Sequence, residues 1–182
     1  MTTHTYKLDT AHSAIGFSVR HLVFAKVRGR FSAWSGSAEL NEADLTQSRV
    51  EVSIDASSID TGTADRDQHL KSPDFFDVAQ FPTLTFKSSR IEALGGERYR
   101  VHGDLTIRDT TREVVLDSEF SGSAKDPWGN DRLAFTAKAS IDRSDFGLKW
   151  NQALETGGVV VGERVDIELE VQAVKAAATR AA

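Results

Sequence analysis

The 182-residue sequence contains no cysteine, which excludes disulfides, thiolate metal sites and cysteine nucleophiles. Proline is nearly absent, with three residues, and two of them, Pro73 and Pro82, fall in one short stretch. No apolar run approaches the roughly 20 residues that span a bilayer, Val159-Val160-Val161 being far too short. The opening Met1–Lys7 lacks a basic segment followed by an apolar one, so no stable membrane insertion and a cytoplasmic location are expected. Common catalytic signatures are also missing: Gly-x-Ser-x-Gly, His-Glu-x-x-His, Gly-x-Gly-x-x-Gly and the phosphate-binding loop. His12, His21, His69 and Asp67 show no local metal-ligand spacing. The chain is therefore read as neither an enzyme nor a metalloprotein, with no cofactor required. A net charge of -5 repels phosphate backbones and argues against a nucleic-acid partner.

What the sequence has in abundance is alternation. Val165-Asp166-Ile167-Glu168-Leu169-Glu170-Val171 alternates apolar and charged residues without a fault, as does Arg49–Asp55. Thr83–Lys87 repeats the pattern. Tyr99, Val101, Leu105 and Ile107 share one phase; so do Leu133, Phe135, Ala137, Ala139 and Ile141; so do Val114, Leu116 and Phe120. Ile15, Phe17 and Val19 complete the set, with His21 in their phase. A period of two with one dry face describes antiparallel strands, about eight or nine here. Phe31 and Ala33 fit one face, whereas Trp34, Gly36, Ala38 and Leu40 fit the other, so a β-bulge is expected near Ala33-Trp34. That many amphipathic strands form either a sandwich or a barrel, and patterning alone does not choose.

Helix is expected only over Asp65–Lys71, ended by Pro73, with a second short turn near Asn151–Glu155. The folded domain is expected over 1–175, with a frayed alanine-rich tail over 176–182. Leu70–Pro82 fits neither strand nor helix, yet it holds Phe75, Phe76 and Phe81. A loop this apolar must pack on something, either plugging one end of the fold or roofing a cavity.

Several motifs in order carry a family resemblance. They are Asp9-Thr10-Ala11-His12-Ser13, Phe17-Ser18-Val19-Arg20-His21, Gly29-Arg30-Phe31, Asp67–Asp77, Phe81-Pro82, Phe86-Lys87-Ser88, Gly103–Ile107 and Arg143–Gly147. Together they resemble the YceI-like family of polyisoprenoid-binding proteins, from Tyr6 to Ala173. The resemblance implies an all-β fold: a single extended eight-stranded antiparallel lipocalin-like barrel with one or two short helices. It further implies binding, storage or transport of a long hydrophobic ligand, an isoprenoid quinone or polyprenyl lipid, inside the barrel.

The candidate ligand-binding residues are Phe17, Val19, His21, Phe31, Trp34, Leu70, Phe75, Phe76, Phe81, Phe86, Phe135 and Trp150. Each also reads as plain core, and His21 as a structural histidine or a partner for a polar head group. Small residues in the inward phase, Gly103, Ser118, Ala137 and Ala139, either accommodate bulky neighbours or leave room. His12 and Ser13 are expected to stabilise a turn, His69 to cap its helix or bond a loop, and His102 to be solvated. Arg20 and Arg143 are expected in surface ion pairs. The competing reading is a filled barrel serving as a protein-interaction or structural module, since inward apolar residues look alike in both. Exposed edges of an elongated barrel allow a homodimer.

Overall fold

The computed structural model describes residues 2–177. The expected tail of 176–182 is thus described only at Ala176 and Ala177, and its remainder lies outside the described residues.

Eleven strands form one sheet: β1 (Thr3–Leu8), β2 (Ala14–His21), β3 (Ala25–Phe31), β4 (Trp34–Asn41), β5 (Arg49–Asp55), β6 (Ile59–Asp60), β7 (Thr83–Gly95), β8 (Arg98–Ile107), β9 (Thr110–Lys125), β10 (Asp131–Asp142) and β11 (Val161–Lys175). They occupy eight positions. β1 and β2 both lie along β11 and form one bent strand, broken by a 3₁₀ turn at Thr10–His12. Their neighbours β3 and β4 form a second, broken at Ser32-Ala33. β5 and β6 form a third, broken at Ala56–Ser58. β7 through β11 follow in sequence order, and β11 closes on β1 and β2. Every pairing is antiparallel, so the result is the closed eight-stranded barrel.

Two of the three breaks, after Asp9 and Asp55, share a local device with the turns after Asp44 and Asp142. Asp9, Asp44, Asp55 and Asp142 each start a 3₁₀ turn by accepting a hydrogen bond from the backbone N–H two residues on. An aspartate placed this way mimics a backbone turn and lets a strand bend without an orphaned amide. Asp9 also accepts from Arg132 Nη1 at 2.6 Å, while Arg132 Nε donates to Asp126 at 2.9 Å. One guanidinium therefore ties the β1–β2 bend to the β9–β10 hairpin. Ser13 Oγ bridges the same bend to Gln172, whose N–H donates to it at 2.9 Å.

Two expectations need correction. The bulge near Ala33-Trp34 is a break between strands: β3 ends at Phe31 and β4 restarts at Trp34. The phase change is absorbed by Ser32-Ala33, held by hydrogen bonds to Ser58 and Asp55. True bulges lie elsewhere, between Ala134 and Phe135 on β10 opposite Ser121, and in the outer half of β7. Residues 151–155 form no helix. Asn151 donates to Val161 O at 2.7 Å and accepts from Val161 N at 3.0 Å, pinning the chain in an open loop. The one α-helix among the described residues, α1 (Ala64–Lys71), matches its expected limits to one residue.

Two packed clusters close the barrel ends. One joins Phe31, Ile54, Ile59, Leu84, Ile107 and Phe146; the other joins Tyr6, Leu8, Leu40, Leu133 and Ala173. Tyr6 is fully buried and its hydroxyl donates to Glu42 Oε1 at 2.8 Å.

Candidate ligand cavity

Between the two clusters the barrel is hollow. A cavity of about 320 Å³ runs along its interior, with an apolar accessible wall. On β8 that wall extends from Tyr99 to Ile107, about 27 Å of strand at the usual rise per residue. Inward side chains that would be buried in a filled barrel stay half-exposed here, among them Phe17, Val19, Val101, Leu116, Ile167 and Leu169.

Two glycines shape the wall. A Cβ on Gly29 would stand 2.3 Å from the tip of the Phe17 ring, and one on Gly103 would stand 2.4 Å from Phe86. Each ring tip occupies the space that a side chain on the neighbouring strand would otherwise fill. Gly29 is the register partner of Phe17, so the seat is built into the β2–β3 pairing. Small inward residues here make space by seating large ones.

The segment after α1 forms the roof. Its backbone satisfies itself: Phe76 N–H donates to Leu70 O, Val78 N–H to Lys71 O, Asp77 N–H to Ser72 O and Phe81 N–H to Asp77 O, all at 2.8–3.1 Å. With its donors spent locally the loop can turn apolar side chains inward. Leu70, Phe75 and Phe76 line the cavity, and Phe76 meets Phe31 edge-on at 5.9 Å.

Of the twelve candidate residues, Phe17, Val19, Phe31, Trp34, Leu70, Phe75, Phe76, Phe86 and Phe135 meet in this one wall. Three do not. His21 ends β2, paired with Ala25 and Val161, and does not itself line the cavity, although Val161 does. Phe81 lies under the Arg108 guanidinium, 5.4 Å from its centre. Trp150 stands behind the roof, edge-on to His69 at 4.6 Å and 5.4 Å from Phe75. His69 also reaches Asp74 Oδ2 at 2.8 Å, so it bonds the neighbouring loop. The wall residues missing from the candidate set, such as Tyr99, Val101, Ile167 and Leu169, sit in the inward phase of strands already legible from alternation. Leu45 joins them from a 3₁₀ turn against β7, which no local pattern announces.

Three polar residues differ from expectation, and the first is Arg20, which has no ion pair among the described residues. His102 is half-buried and reaches Glu92 Oε2 at 2.9 Å, which helps hold that carboxyl below its usual range. Arg143 is in no surface ion pair. It is 4 % exposed and donates to the carbonyls of Leu148, Trp150 and Gly162 at 2.6–2.9 Å, with Val161 O at 3.4 Å. Burial pulls its pKa down, opposed by the charges of Glu163 and Asp142. This cation organises the loop from Gly147 to Val161 at the roof end. Among the described residues, no group of three or more His, Asp or Glu is placed to hold a metal ion.

A closed antiparallel barrel around one apolar lumen, roofed at one end by a short helix and loop, defines a lipocalin-like protein. Within that class the chain belongs to the YceI-like family, whose domain matches residues 6–173. A UPF0312 protein of Vibrio cholerae serotype O1 is 36% identical over 172 residues, covering 93% of this chain and 87% of that protein. Among solved structures, Burkholderia cenocepacia BcnA superposes with a TM-score of 0.80 at 24% identity, covering 91% and 98% of the two chains. A Campylobacter jejuni YceI protein does so at 0.75 with 28% identity, covering 87% and 90%. A polyisoprenoid-binding domain from Saccharophagus degradans shares the fold at 0.69 with 17% identity, covering 94% and 98%.

Proposed function

We propose that this protein binds one long apolar ligand, an isoprenoid quinone or polyprenyl lipid, in the barrel lumen and stores or transports it. The observation that carries this reading is the lumen itself: apolar, and walled along about 27 Å of β8 strand. A flexible hydrocarbon chain suits such a wall better than a compact polar metabolite, which would leave its polar groups unpaired. The naming of a structural neighbour as polyisoprenoid-binding adds support.

The energetics are adequate without any head-group contact. A chain of about twenty carbons gains at most about 16 kcal/mol by area. At about 0.3 kcal/mol per heavy atom the realised figure is near 6 kcal/mol, a Kd of tens of micromolar. Polar contacts at a cavity end would tighten this and supply selectivity.

A filled barrel serving as an interaction or structural module is the competing reading. It requires close-packed inward faces, and the half-exposed side chains along β2, β8 and β11 argue against it. We read the protein as a binding protein without catalytic chemistry, since the lumen wall presents no nucleophile paired with a base.

Native mass spectrometry of protein purified without detergent, followed by organic extraction of the same sample, tests the proposal. A discrete adduct of several hundred daltons that extracts as a polyprenyl lipid is the expected result. An adduct-free mass, together with failure to take up added quinones and polyprenols, refutes it in favour of the filled module.

A further inference from the structure

The β2–β3 hairpin carries a feature that core packing does not explain. Its tip, Leu22-Val23-Phe24, is apolar and in solvent: Phe24 is 91% exposed, Val23 59% and Leu22 42%. Val159, 42% exposed, sits on the adjoining loop, whose Val160 carbonyl accepts from Leu22 N–H at 2.9 Å. Leu22 and Val23 both have positive φ, at 51° and 67°. Glycine or asparagine adopts that conformation readily, whereas a β-branched residue there is strained. The turn thus holds three large apolar side chains outward at a conformational cost.

The stem of the same hairpin is cationic on its outer face. Arg20, Lys26, Arg28 and Arg30 all project there, and Arg20 lies directly opposite Lys26 in the register. Like charges so placed repel. Arg30 is paired with Asp60, but Arg20, Lys26 and Arg28 have no ion pair among the described residues. On the adjoining start of β11, Asp166 takes Arg164 and also attracts Lys26, and Glu163 is engaged with Asp142 and Arg143, so no carboxylate forms an ion pair with Arg20 or Arg28 among the described residues. This local excess stands on a chain whose net charge is -5.

We propose that this hairpin docks the protein on an anionic phospholipid bilayer, with Leu22, Val23 and Phe24 entering the interface and Arg20, Lys26 and Arg28 facing the head groups. An apolar tip above a basic collar is the chemistry an anionic lipid surface rewards, because burial and charge attraction act together. The placement also has a use. The inner face of the same stem is cavity wall, through Phe17 and Val19, so docking sets the roof end of the lumen against the membrane. Ala25–Gly29 of β3 pairs only with β2, and the wall there is a single strand thick at its free edge. The geometry stands alone, while its purpose, lipid exchange with the bilayer, rests on the carrier reading.

Vesicle flotation tests the proposal with the full chain. Neutral phosphatidylcholine vesicles are compared with vesicles containing about one third phosphatidylglycerol. The wild type is expected to float with the anionic vesicles only, and to be released by high salt. Phe24→Ser and Val23→Gly are expected to lower the bound fraction about tenfold or more between them. Val23→Gly should leave the melting temperature unchanged or raise it, since it relieves the strained turn. Absence of flotation, equal flotation on neutral vesicles, or flotation unchanged by both substitutions overturns the proposal. So does concentration-dependent dimerisation abolished by the same substitutions, which would make the tip a contact with a second copy. Uptake of detergent-solubilised polyprenol, measured in parallel, separates the two readings. The variants should load as the wild type does, and a wild type that floats but never loads would sink the carrier and leave the docking intact.

Discussion

Substituting Gly29 by alanine separates a hollow barrel from a packed one. The new Cβ would fall 2.3 Å from one Phe17 ring atom and 2.9 Å from two others, with no backbone atom among the nearest neighbours. The backbone at Gly29 is not left-handed, so alanine is tolerated there and strengthens the strand by roughly 0.5–1 kcal/mol. The conflict is relieved by the ring alone, which must swing off its seat, and the open direction is the lumen. A benzene-sized body needs a space of about 150 Å³. The displaced ring would therefore consume between a third and a half of the cavity of about 320 Å³. It excludes about six ligand carbons, worth about 2 kcal/mol, or ten- to thirtyfold in Kd. Titration of a fluorescent polyprenyl analogue reads this directly, with the melting temperature as control. Gly29→Ala should bind ten- to thirtyfold more weakly at an undiminished melting temperature, and adding Phe17→Leu should restore most of the affinity. Unchanged affinity would refute the reasoning, because the ligand would then not occupy the space beside Phe17. A large drop in melting temperature would refute it differently, by showing the ring locked in a packed core.

Ala137→Trp, on the wall two strands away from β2, should likewise block uptake while moving the melting temperature by no more than about 4 °C. A collapse in stability would mean that site is already close-packed. Arg143→Met should destabilise by about 3 kcal/mol or more, since it strips buried carbonyls of their donor, and amide exchange should quicken first over 147–161. Asp9 is held at about 2, below its ordinary 3.8, chiefly by the hydrogen bond from Arg132. Its contribution is therefore full above pH 4 and is lost as pH falls from about 4 towards 2. Asp9→Asn should remove about 1–2 kcal/mol near neutrality and flatten that part of the pH–stability curve, read from urea midpoints. If the variant keeps the wild-type acid limb, the Arg132 bridge is not what holds the bend.

The sequence by itself determined where strands lie and which of their faces is dry. Alternation reports a side chain's face whatever the partner strand, so β5, β7, β8, β10 and β11 were legible residue by residue. The apolar Leu70–Pro82 stretch likewise announced a buried loop, and α1 its own end at Pro73. Only the tertiary structure decided the rest, because the rest depends on which atoms meet across distant strands. Eleven strands became eight positions through pairings such as Tyr6 with Lys175 and Ile15 with Phe31, which no local pattern encodes. Alternation marks Phe17 and Phe86 as inward, but whether such rings fill a barrel or leave it open depends on what lies under them. Gly29 and Gly103 supply that, each across a hairpin, one directly opposite its ring and one two residues off. His21, Phe81 and Trp150 carried the right chemistry for a lumen wall and were placed outside it by register and loop path. The outward Leu22-Val23-Phe24 tip contradicts both hydropathy and turn preference, and only the folded backbone, with its positive φ angles, shows those side chains held in water. Periodicity is a property of one strand, whereas a lumen, a seat for a ring and a strained turn are properties of several chain segments at once.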